Sequence, residues 1–307
     1  MISRRTFLKN SLTAAACASV AGNFLPLHAE KLELPLGLQL FSLRAQLPKD
    51  YDGTLRQLGA LGYREVEAAG FFDHTAAQVK QSMKAAGLTC VSAHYPYLAL
   101  DPHLDEVVQY ARDLGLKYVI CSVPGVKNPV SQPLRVPGSP APRQVLTLED
   151  WRWNAEQFNR IGERFKKVGI QFGYHNHFEF KPENGVVPFD ELLRLTDPKL
   201  VTMQLDCGNM IEAGQSPVAY LERYPTRFSM LHLKDSTPPA RGSESATGQR
   251  VGGVPTEMGR GIIDYRPIFK AATKIPIKHC FMEQEGYDMP PFESLKVDAD
   301  YIRNLEF

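Results

Sequence analysis

The stretch Gly169-Ile170-Gln171-Phe172-Gly173-Tyr174-His175-Asn176-His177 is an apolar run that ends in two histidines. Side chains alternate along a β-strand, so residues two positions apart, such as His175 and His177, face the same side. Three later apolar runs also end on a residue that can bind a divalent metal, and these residues are Asp206, His232 and Glu283. Four successive strand candidates therefore finish on a residue of metal-ligand type.

Strand candidates alternate with helical patterns along the rest of the chain. Eight strands are predicted to begin near residues 36, 63, 88, 116, 169, 201, 228 and 279, with helices predicted at 51–61, 75–86, 104–114, 148–167, 189–195, 217–223, 265–273 and 292–303. Strict alternation predicts a parallel sheet flanked by helices. Eight units in about 280 residues favour a closed (β/α)₈ TIM barrel over an open sheet. The loop after the first strand lacks the glycines of a dinucleotide-binding fold.

The composition is that of an ordinary soluble globular protein. The chain has 307 residues, of which 43% are hydrophobic and 22% charged. This length suits two small domains or one large barrel, since barrels of about 250 residues are routinely single domains. The alternation of strands and helices favours one barrel domain over residues 30–307.

The first 29 residues are expected to be an export signal. Ser3-Arg4-Arg5-Thr6-Phe7-Leu8-Lys9 fills the main positions of a twin-arginine motif, and a weakly apolar segment follows it. That segment is shorter and more polar than the roughly 20 residues that span a bilayer. We expect cleavage near Ala29, a periplasmic or otherwise exported protein, and no membrane insertion afterwards. A lipoprotein anchored through Cys17 is disfavoured, because Ala14 stands where leucine is wanted.

The expected mature protein is slightly acidic. Cleavage removes three basic side chains and no acidic one, which leaves 32 Lys and Arg against 34 Asp and Glu. Non-specific phosphate binding needs a basic surface, so no nucleic-acid partner is expected. Four remaining cysteines stand in or beside strand candidates and are predicted to be small buried hydrophobes: Cys90, Cys121, Cys207 and Cys280.

Two connections, residues 124–147 and 235–261, are long and rich in proline or glycine. Both follow strands, so in a barrel both would rise over the C-terminal mouth, where active sites lie. Long ordered loops in compact domains usually act as lids or binding loops, and flexible decoration is the alternative.

The four strand-end residues His175, Asp206, His232 and Glu283 would meet at one rim of a barrel. Two imidazoles and two carboxylates suit a transition metal better than Ca²⁺, which prefers six or more oxygen ligands. We therefore expect one divalent metal ion, with Mn²⁺, Zn²⁺, Co²⁺, Fe²⁺ and Mg²⁺ left open.

At these motifs the chain resembles the sugar isomerase/epimerase superfamily of xylose isomerase-like barrels. That superfamily includes tagatose epimerases, inosose dehydratase and the endonuclease IV enzymes. The resemblance covers essentially the whole mature chain and is carried by Gly37–Ser42, Gly62–Glu67, Gly173–His177, Leu205–Asn209, His232–Asp235, Gly259–Asp264 and Met282–Gln284. It implies metal ligands at Asp206, His232 and Glu283.

The fifth strand departs from the family pattern. Many members have Glu-Asn-His there, and the Glu is both a metal ligand and a catalytic acid/base. This chain has His175-Asn176-His177 instead. The missing ligand is then supplied by His175 or by His177, and the sequence does not decide between them.

The leading hypothesis is metal-assisted proton abstraction next to a carbonyl of a sugar or sugar derivative, through an enediolate. Glu283 would be the base, His177 or Glu67 would handle the second proton, and Lys234 would hold a substrate oxygen. A structural salt bridge is the alternative for Glu67. Four residues are predicted to bind substrate: His94, Asn176, Asn209 and Glu257.

Loss of the fifth-strand Glu also supports a lyase or dehydratase acting on a keto-glycoside or keto-cyclitol, because elimination needs one base and one acid. An endonuclease-like metallohydrolase and a non-catalytic carbohydrate-binding barrel remain as further alternatives. The expected partner is a small carbohydrate, and the sequence leaves a homo-oligomer open.

Overall fold

The computed structural model describes residues 31, 33–129, 146–238 and 253–307. The predicted export signal and much of both long connections lie outside these residues. The residues described from Lys31 to Phe307 belong to one compact unit. Among the described helices, none combines the length and apolar character needed to cross a bilayer.

Eight parallel strands close into a barrel, which confirms the predicted (β/α)₈ TIM-barrel fold. Each strand pairs with its neighbours in sequence order, and the last pairs with the first. The strands are β1 Leu36–Gln39, β2 Glu65–Ala68, β3 Thr89–Pro96, β4 Tyr118–Val123, β5 Gln171–His175, β6 Val201–Asp206, β7 Phe228–Leu233 and β8 His279–Met282.

Helices follow the strands and cover the outside of the barrel. Among the described residues they are Tyr51–Ala60, Ala76–Ala86, Tyr97–Leu100, Leu104–Leu114, Leu148–Lys166, Pro188–Leu195, Cys207–Glu212, Pro217–Arg223, Tyr265–Ala272 and Pro291–Asn304. Thr75 and Thr147 begin their helices with reciprocal capping boxes. Gly87 and Gly115 end theirs in the left-handed conformation that glycine adopts without strain.

Among the described residues, three short helices were not expected from the pattern: the 3₁₀ helix Leu40–Leu43 and the helices Tyr97–Leu100 and Cys207–Glu212. Each begins directly where a strand ends, so no turn residue announces it. The strand β5 stops at His175, and His177 therefore lies in the loop beyond the strand rather than on it.

The barrel interior is layered, because every second residue of a strand points inward. A buried apolar cluster occupies the middle and consists of Val91, Tyr118, Ile120, Met230 and Phe281. Two residues further along their strands, Met230 is followed by His232 and Phe281 by Glu283. The same period that fills the core with apolar side chains therefore delivers polar groups to the C-terminal rim.

Two glycines make room inside the barrel. A Cβ atom on Gly37 would lie 2.6 Å from Cδ1 of Phe281, and one on Gly173 would lie 2.7 Å from Cδ1 of Ile120 and 2.9 Å from Cγ2 of Thr202. All three distances are shorter than van der Waals contact, so each glycine is needed for its neighbours to fill the interior.

We expect Gly173→Ala to destabilise the protein by about 1–3 kcal/mol through overpacking. Urea unfolding measures this as a lower midpoint. Gly286→Ala is the matched control, since a Cβ there would meet only Pro255, at 3.8 Å. It should stay within about 1 kcal/mol of wild type. Equal midpoints for the two variants would contradict the packing argument.

Candidate functional site

A cavity of about 580 Å³ opens at the C-terminal ends of the strands. Its polar wall includes His94, His175, His177, Asn209, Glu212, Lys234, Asp235, Ser236, Glu283 and Glu285. Apolar groups complete the lining, among them Phe41 and Val123, which are 43% and 52% exposed. The mouth of the barrel therefore offers a polar floor and a partly apolar rim, as small-molecule sites usually do.

The two carboxylate oxygens of Asp206 have different environments. Oδ1 accepts the backbone N–H of Asn209 at 2.7 Å and so caps the helix Cys207–Glu212. Oδ2 is buried and receives no hydrogen bond, although Lys234 Nζ lies 3.3 Å away and His175 Nε2 lies 3.6 Å away. Burial raises the pKa of Asp206 to about 6, against the opposing charges of Lys234 and His232. One oxygen thus has a structural role as a helix cap, and the other faces the cavity floor.

Asn176 ties β5 to β6 rather than reaching into the cavity. Its Oδ1 accepts the backbone N–H of Asp206 at 2.8 Å, and its Nδ2 donates to the Asp206 carbonyl at 3.2 Å. The side chain of Asn209 donates to the Asn176 carbonyl at 3.1 Å. Asn176 is fully buried and does not line the cavity, whereas Asn209 does.

His175 is a buried, neutral imidazole. Its Nδ1 lies 2.9 Å from Oε1 of Gln204, and its Nε2 faces Asp206. Burial, reinforced by the nearby rings of His232 and His177, lowers the pKa of His175 well below its usual range. The neutral ring is the form that binds a metal.

His232 lies between two carboxylates. Its Nε2 is 2.7 Å from Oε1 of Glu67, and its Nδ1 is 3.3 Å from Oε2 of Glu283. Burial alone would lower the pKa of His232, but the two carboxylates outweigh it and raise the pKa to about 10. Burial likewise opposes ionisation of Glu283, yet the hydrogen bond from His232 and the charge of Lys234 lower its pKa to about 2.

Lys234 reaches over the cavity floor. Its Nζ lies 3.3 Å from Oδ2 of Asp206 and 2.8 Å from Oε1 of Glu285. Burial would lower the pKa of Lys234, but these carboxylates raise it above its usual value, so the ammonium stays charged. A Cβ on Gly208 would lie 2.4 Å from Cγ of Lys234, so this glycine leaves the path of the side chain open.

A polar layer formed by Gln39, Glu67, His94 and Gln204 supports the cavity, and of these four residues His94 also lines it. Oε1 of Glu67 accepts from Gln39 Nε2, His94 Nε2 and His232 Nε2, each at 2.7 Å, and Oε2 accepts from Gln204 Nε2 at 2.8 Å. Burial would raise the pKa of Glu67, but His94 and His232 hold it well below its usual range. Glu67 is fully buried and does not line the cavity, so it lies among the groups that support the site.

The loop after β5 is held by Glu179. Both of its carboxylate oxygens accept the backbone N–H of His177, at 3.0 and 3.1 Å, and Oε1 also accepts the hydroxyl of Tyr174 at 2.8 Å. His177 lines the cavity, with its ring centroid 4.8 Å from that of His175. The carboxylate on this side therefore supports the backbone, and imidazoles face the cavity.

Asp235 and Glu257 hold the connection after β7. The carboxylate of Asp235 accepts backbone N–H groups from Gly259, Gly261 and Ile263. Glu257 accepts from Ser294 Oγ at 2.9 Å and pairs with Arg260 at 3.2 Å. Glu257 is not among the described residues that line the cavity, so the structure does not bring it to the other predicted site residues.

The residues fit a divalent metal. His175, Asp206, His232 and Glu283, here called the ligand cluster, each offer a ligand atom, and these atoms all lie within 4.8 Å of one another. Oδ2 of Asp206 is buried and accepts no hydrogen bond, although the ammonium of Lys234 lies 3.3 Å away, and a metal ion would supply the direct partner that this oxygen lacks. His232 could bind only by giving up the proton it shares with Glu283, so metal binding would release a proton.

The sequence did not identify three residues that support the site, Gln39, Gln204 and Glu179. It also did not predict that Asp235 accepts the backbone N–H groups of its connection. The strand period was a usable signal for Gln204, because it precedes Asp206 by two positions and so shares its inward face. Gln39 similarly ends β1. No comparable signal exists for Glu179, because its contacts depend on the course of the loop.

Comparisons with known proteins agree with this fold. A family model described as the xylose isomerase-like TIM barrel matches residues 55–305. An inosose dehydratase of Geobacillus kaustophilus is 26% identical over 271 residues, which cover 83% of this chain and 87% of that protein. Inosose dehydratase 2 of Bacillus cereus is 24% identical over 260 residues, covering 79% and 85%.

Among solved structures, a sugar phosphate isomerase/epimerase from Parabacteroides distasonis superposes with a TM-score of 0.68 at 28% identity, covering 88% of this chain and 94% of that one. These relatives carry the names of enzymes of carbohydrate chemistry. Because the family model matches well over half of its residues, this chain belongs to the xylose isomerase-like TIM barrel family.

Proposed function

We propose that this protein is a divalent-metal-dependent lyase that removes a β-substituent from a keto sugar or keto-cyclitol. The observation that carries the proposal is the chemistry of the β5 rim. Among the described residues, the polar side chains that reach the cavity from this rim are the imidazoles of His175 and His177, while Glu179 is turned towards the backbone. Epimerisation by two facing carboxylates needs a second carboxylate on this rim, and the described residues do not place one there.

The other carboxylates of the cavity wall do not replace it. Glu212 accepts from Ser236 Oγ at 2.7 Å, Asp235 is occupied by backbone N–H groups, and Glu285 pairs with Lys234 at 2.8 Å. Glu283 follows β8, and β8 and β5 are three strands apart around the closed barrel. A carboxylate base and an imidazole acid therefore both reach the cavity, and elimination needs one of each.

The residues divide the reaction as follows. Glu283 removes the proton next to the ketone, and the electron pair passes to the carbonyl oxygen to form an enolate. The enolate collapses and expels the β-substituent, which takes a proton from His177 and leaves an unsaturated ketone. Glu283 then returns its proton to solvent and His177 regains one.

Charge stabilisation must help to lower the barrier, because His232 and Lys234 hold the pKa of Glu283 below its usual range and so make it a weaker base. The ammonium of Lys234 supplies a fixed positive charge near the developing oxyanion. A divalent ion held by the ligand cluster would add Lewis-acid polarisation of the substrate carbonyl.

Two of the relatives support this assignment, since both are named inosose dehydratases. Epimerisation is the second candidate, supported by the name of the Parabacteroides protein. It would share the first step, with His177 delivering a proton to the opposite face of the enolate in place of elimination.

The discriminating experiment incubates the metal-loaded enzyme in D₂O with inosose and with keto-glycosides that carry a chromogenic leaving group. A lyase yields an unsaturated ketone together with the released group or water. An epimerase yields a stereoisomer with deuterium at one carbon and releases nothing. Turnover that gives neither an unsaturated ketone nor carbon-bound deuterium would overturn both candidates and favour a metallohydrolase.

We also propose export through the twin-arginine pathway, supported by the motif around Arg4 and Arg5. Changing both arginines to lysine keeps the charge but loses the motif, and we expect the unprocessed precursor to stay in the cytoplasm. Cell fractionation and N-terminal sequencing of the product check this, with Lys9→Arg as the charge-neutral control. Unaltered export of the double variant would contradict the twin-arginine assignment.

A further inference from the structure

Gln204 lies fully buried within the polar layer and joins a carboxylate to two imidazoles. Its Nε2 donates to Glu67 Oε2 at 2.8 Å. Its Oε1 lies 2.8 Å from His94 Nε2 and 2.9 Å from Nδ1 of His175. The amide therefore has a different kind of partner at each end, and one of these partners belongs to the ligand cluster.

The orientation of this amide is set by Glu67. An ionised carboxylate only accepts hydrogen bonds, so the NH₂ group of Gln204 must face it. A reversed amide would place its oxygen against Oε2 of Glu67 in a buried environment. Oε1 of Glu67 is already occupied by donors from Gln39, His94 and His232, so the carboxylate cannot turn to relieve that clash.

The orientation of Gln204 in turn decides which nitrogen of His175 carries the proton. An amide oxygen only accepts, so the nearby Nδ1 of His175 must be the N–H group. The lone pair then belongs to Nε2, which is the nitrogen that faces Asp206 Oδ2 at 3.6 Å. The opposite tautomer would direct an N–H group towards the other members of the ligand cluster.

We propose that Gln204 is a positioning residue that selects the Nδ1–H tautomer of His175 and thereby sets the affinity of the ligand cluster for a divalent metal. This inference rests on the metal-binding part of the proposed function and not on the reaction catalysed. Hydrogen-bond partners of metal-bound histidines usually contribute about 10–100-fold to metal affinity.

The test uses Gln204→Met, which keeps the approximate size of the side chain and removes the hydrogen bonds to Glu67, His94 and His175. Nitrogen-15 NMR of the histidine rings in metal-free protein reports the tautomer of His175, and competition with a chromogenic chelator reports the affinity for Zn²⁺. We expect the variant to populate the Nε2–H tautomer and to bind Zn²⁺ about 10–100-fold more weakly.

Gln171→Met is the matched control. Gln171 is also a glutamine of a barrel strand, but its side chain donates to the carbonyls of Phe172 and Leu200, away from the ligand cluster. It should leave both measurements unchanged. Gln204→Glu should restore them, since a protonated carboxyl group can donate to Glu67 and accept from His175 in the same way.

An unchanged His175 tautomer with unchanged Zn²⁺ affinity in Gln204→Met would overturn the inference. If that variant does not fold, Glu67→Gln tests the same step, because a second amide at this position no longer dictates the orientation of the first. A mixture of His175 tautomers is expected there, and a single Nδ1–H form would count against the proposal. Neither readout needs substrate, so failure of the lyase assignment would leave them intact.

Discussion

Replacing Glu283 with glutamine is expected to lower kcat by at least about a hundredfold while changing KM much less. Glutamine keeps the size of the side chain and an oxygen that can still approach a metal held by the other members of the ligand cluster, so substrate binding should largely persist. It cannot accept the proton next to the ketone. A positioned general base contributes on the order of 10²–10⁴ in rate, and loss of one negative charge beside His232 adds to the defect.

Steady-state kinetics with a keto substrate would measure this, together with the rate at which the carbon-bound proton exchanges with solvent. The exchange rate should fall in parallel with kcat, because both depend on the same abstraction. Glu212→Gln is the control, since Glu212 also lines the cavity but lies outside the ligand cluster. A Glu283→Gln enzyme that retains most of its kcat would rule out this residue as the base.

The second large effect is expected for Asp206→Ala, which should lose bound metal and activity together. Loss of a charged ligand should exceed the roughly 10–100-fold effect of losing a partner behind a ligand. The variant also removes the cap of the helix Cys207–Glu212, at a cost of about 1 kcal/mol. Metal analysis of purified protein and thermal unfolding separate the two consequences.

Asp206→Asn refines the test, since its amide oxygen can still accept from Asn209 while the negative charge is gone. We expect this variant to keep most of its stability and to bind metal weakly. Asp264→Ala is the matched control, because Asp264 caps the helix Tyr265–Ala272 on the surface. It should lose stability and retain metal. Full metal content in Asp206→Ala would show that the ligand cluster is not the metal site.

The barrel was predictable because its signals are local and repeated. Alternating apolar strands such as Val201–Asp206, helix caps such as Thr147 and glycine helix ends such as Gly115 each specify an element without reference to the rest of the chain. Closure then follows from the number of units. The short helix Cys207–Glu212 escaped this reasoning, because its cap, Asp206, also reads as the end of a strand.

The site was predictable only where the strand period reaches it. His175, His232 and Glu283 are placed by alternation, and the structure brings them together with Asp206. The role of Glu67 depends on the four donors that surround it. These donors come from four other strands, so the sequence of its own strand does not predict that role. Glu257 shows the same limit, because its partner Ser294 is supplied by the C-terminal helix.

The base of the connection after β7 is closed by backbone pairing. Asp235 and Ser236 pair antiparallel with Pro255 and Thr256, and Thr237 N–H bonds the Val254 carbonyl at 2.9 Å. The two ends of this connection are therefore held together by their own backbone hydrogen bonds. Doubling the length of a flexible loop costs in general only about 0.6 kcal/mol, so a change of length between two paired ends has little effect on stability. The length of this connection can thus change during evolution without displacing the residues of the ligand cluster.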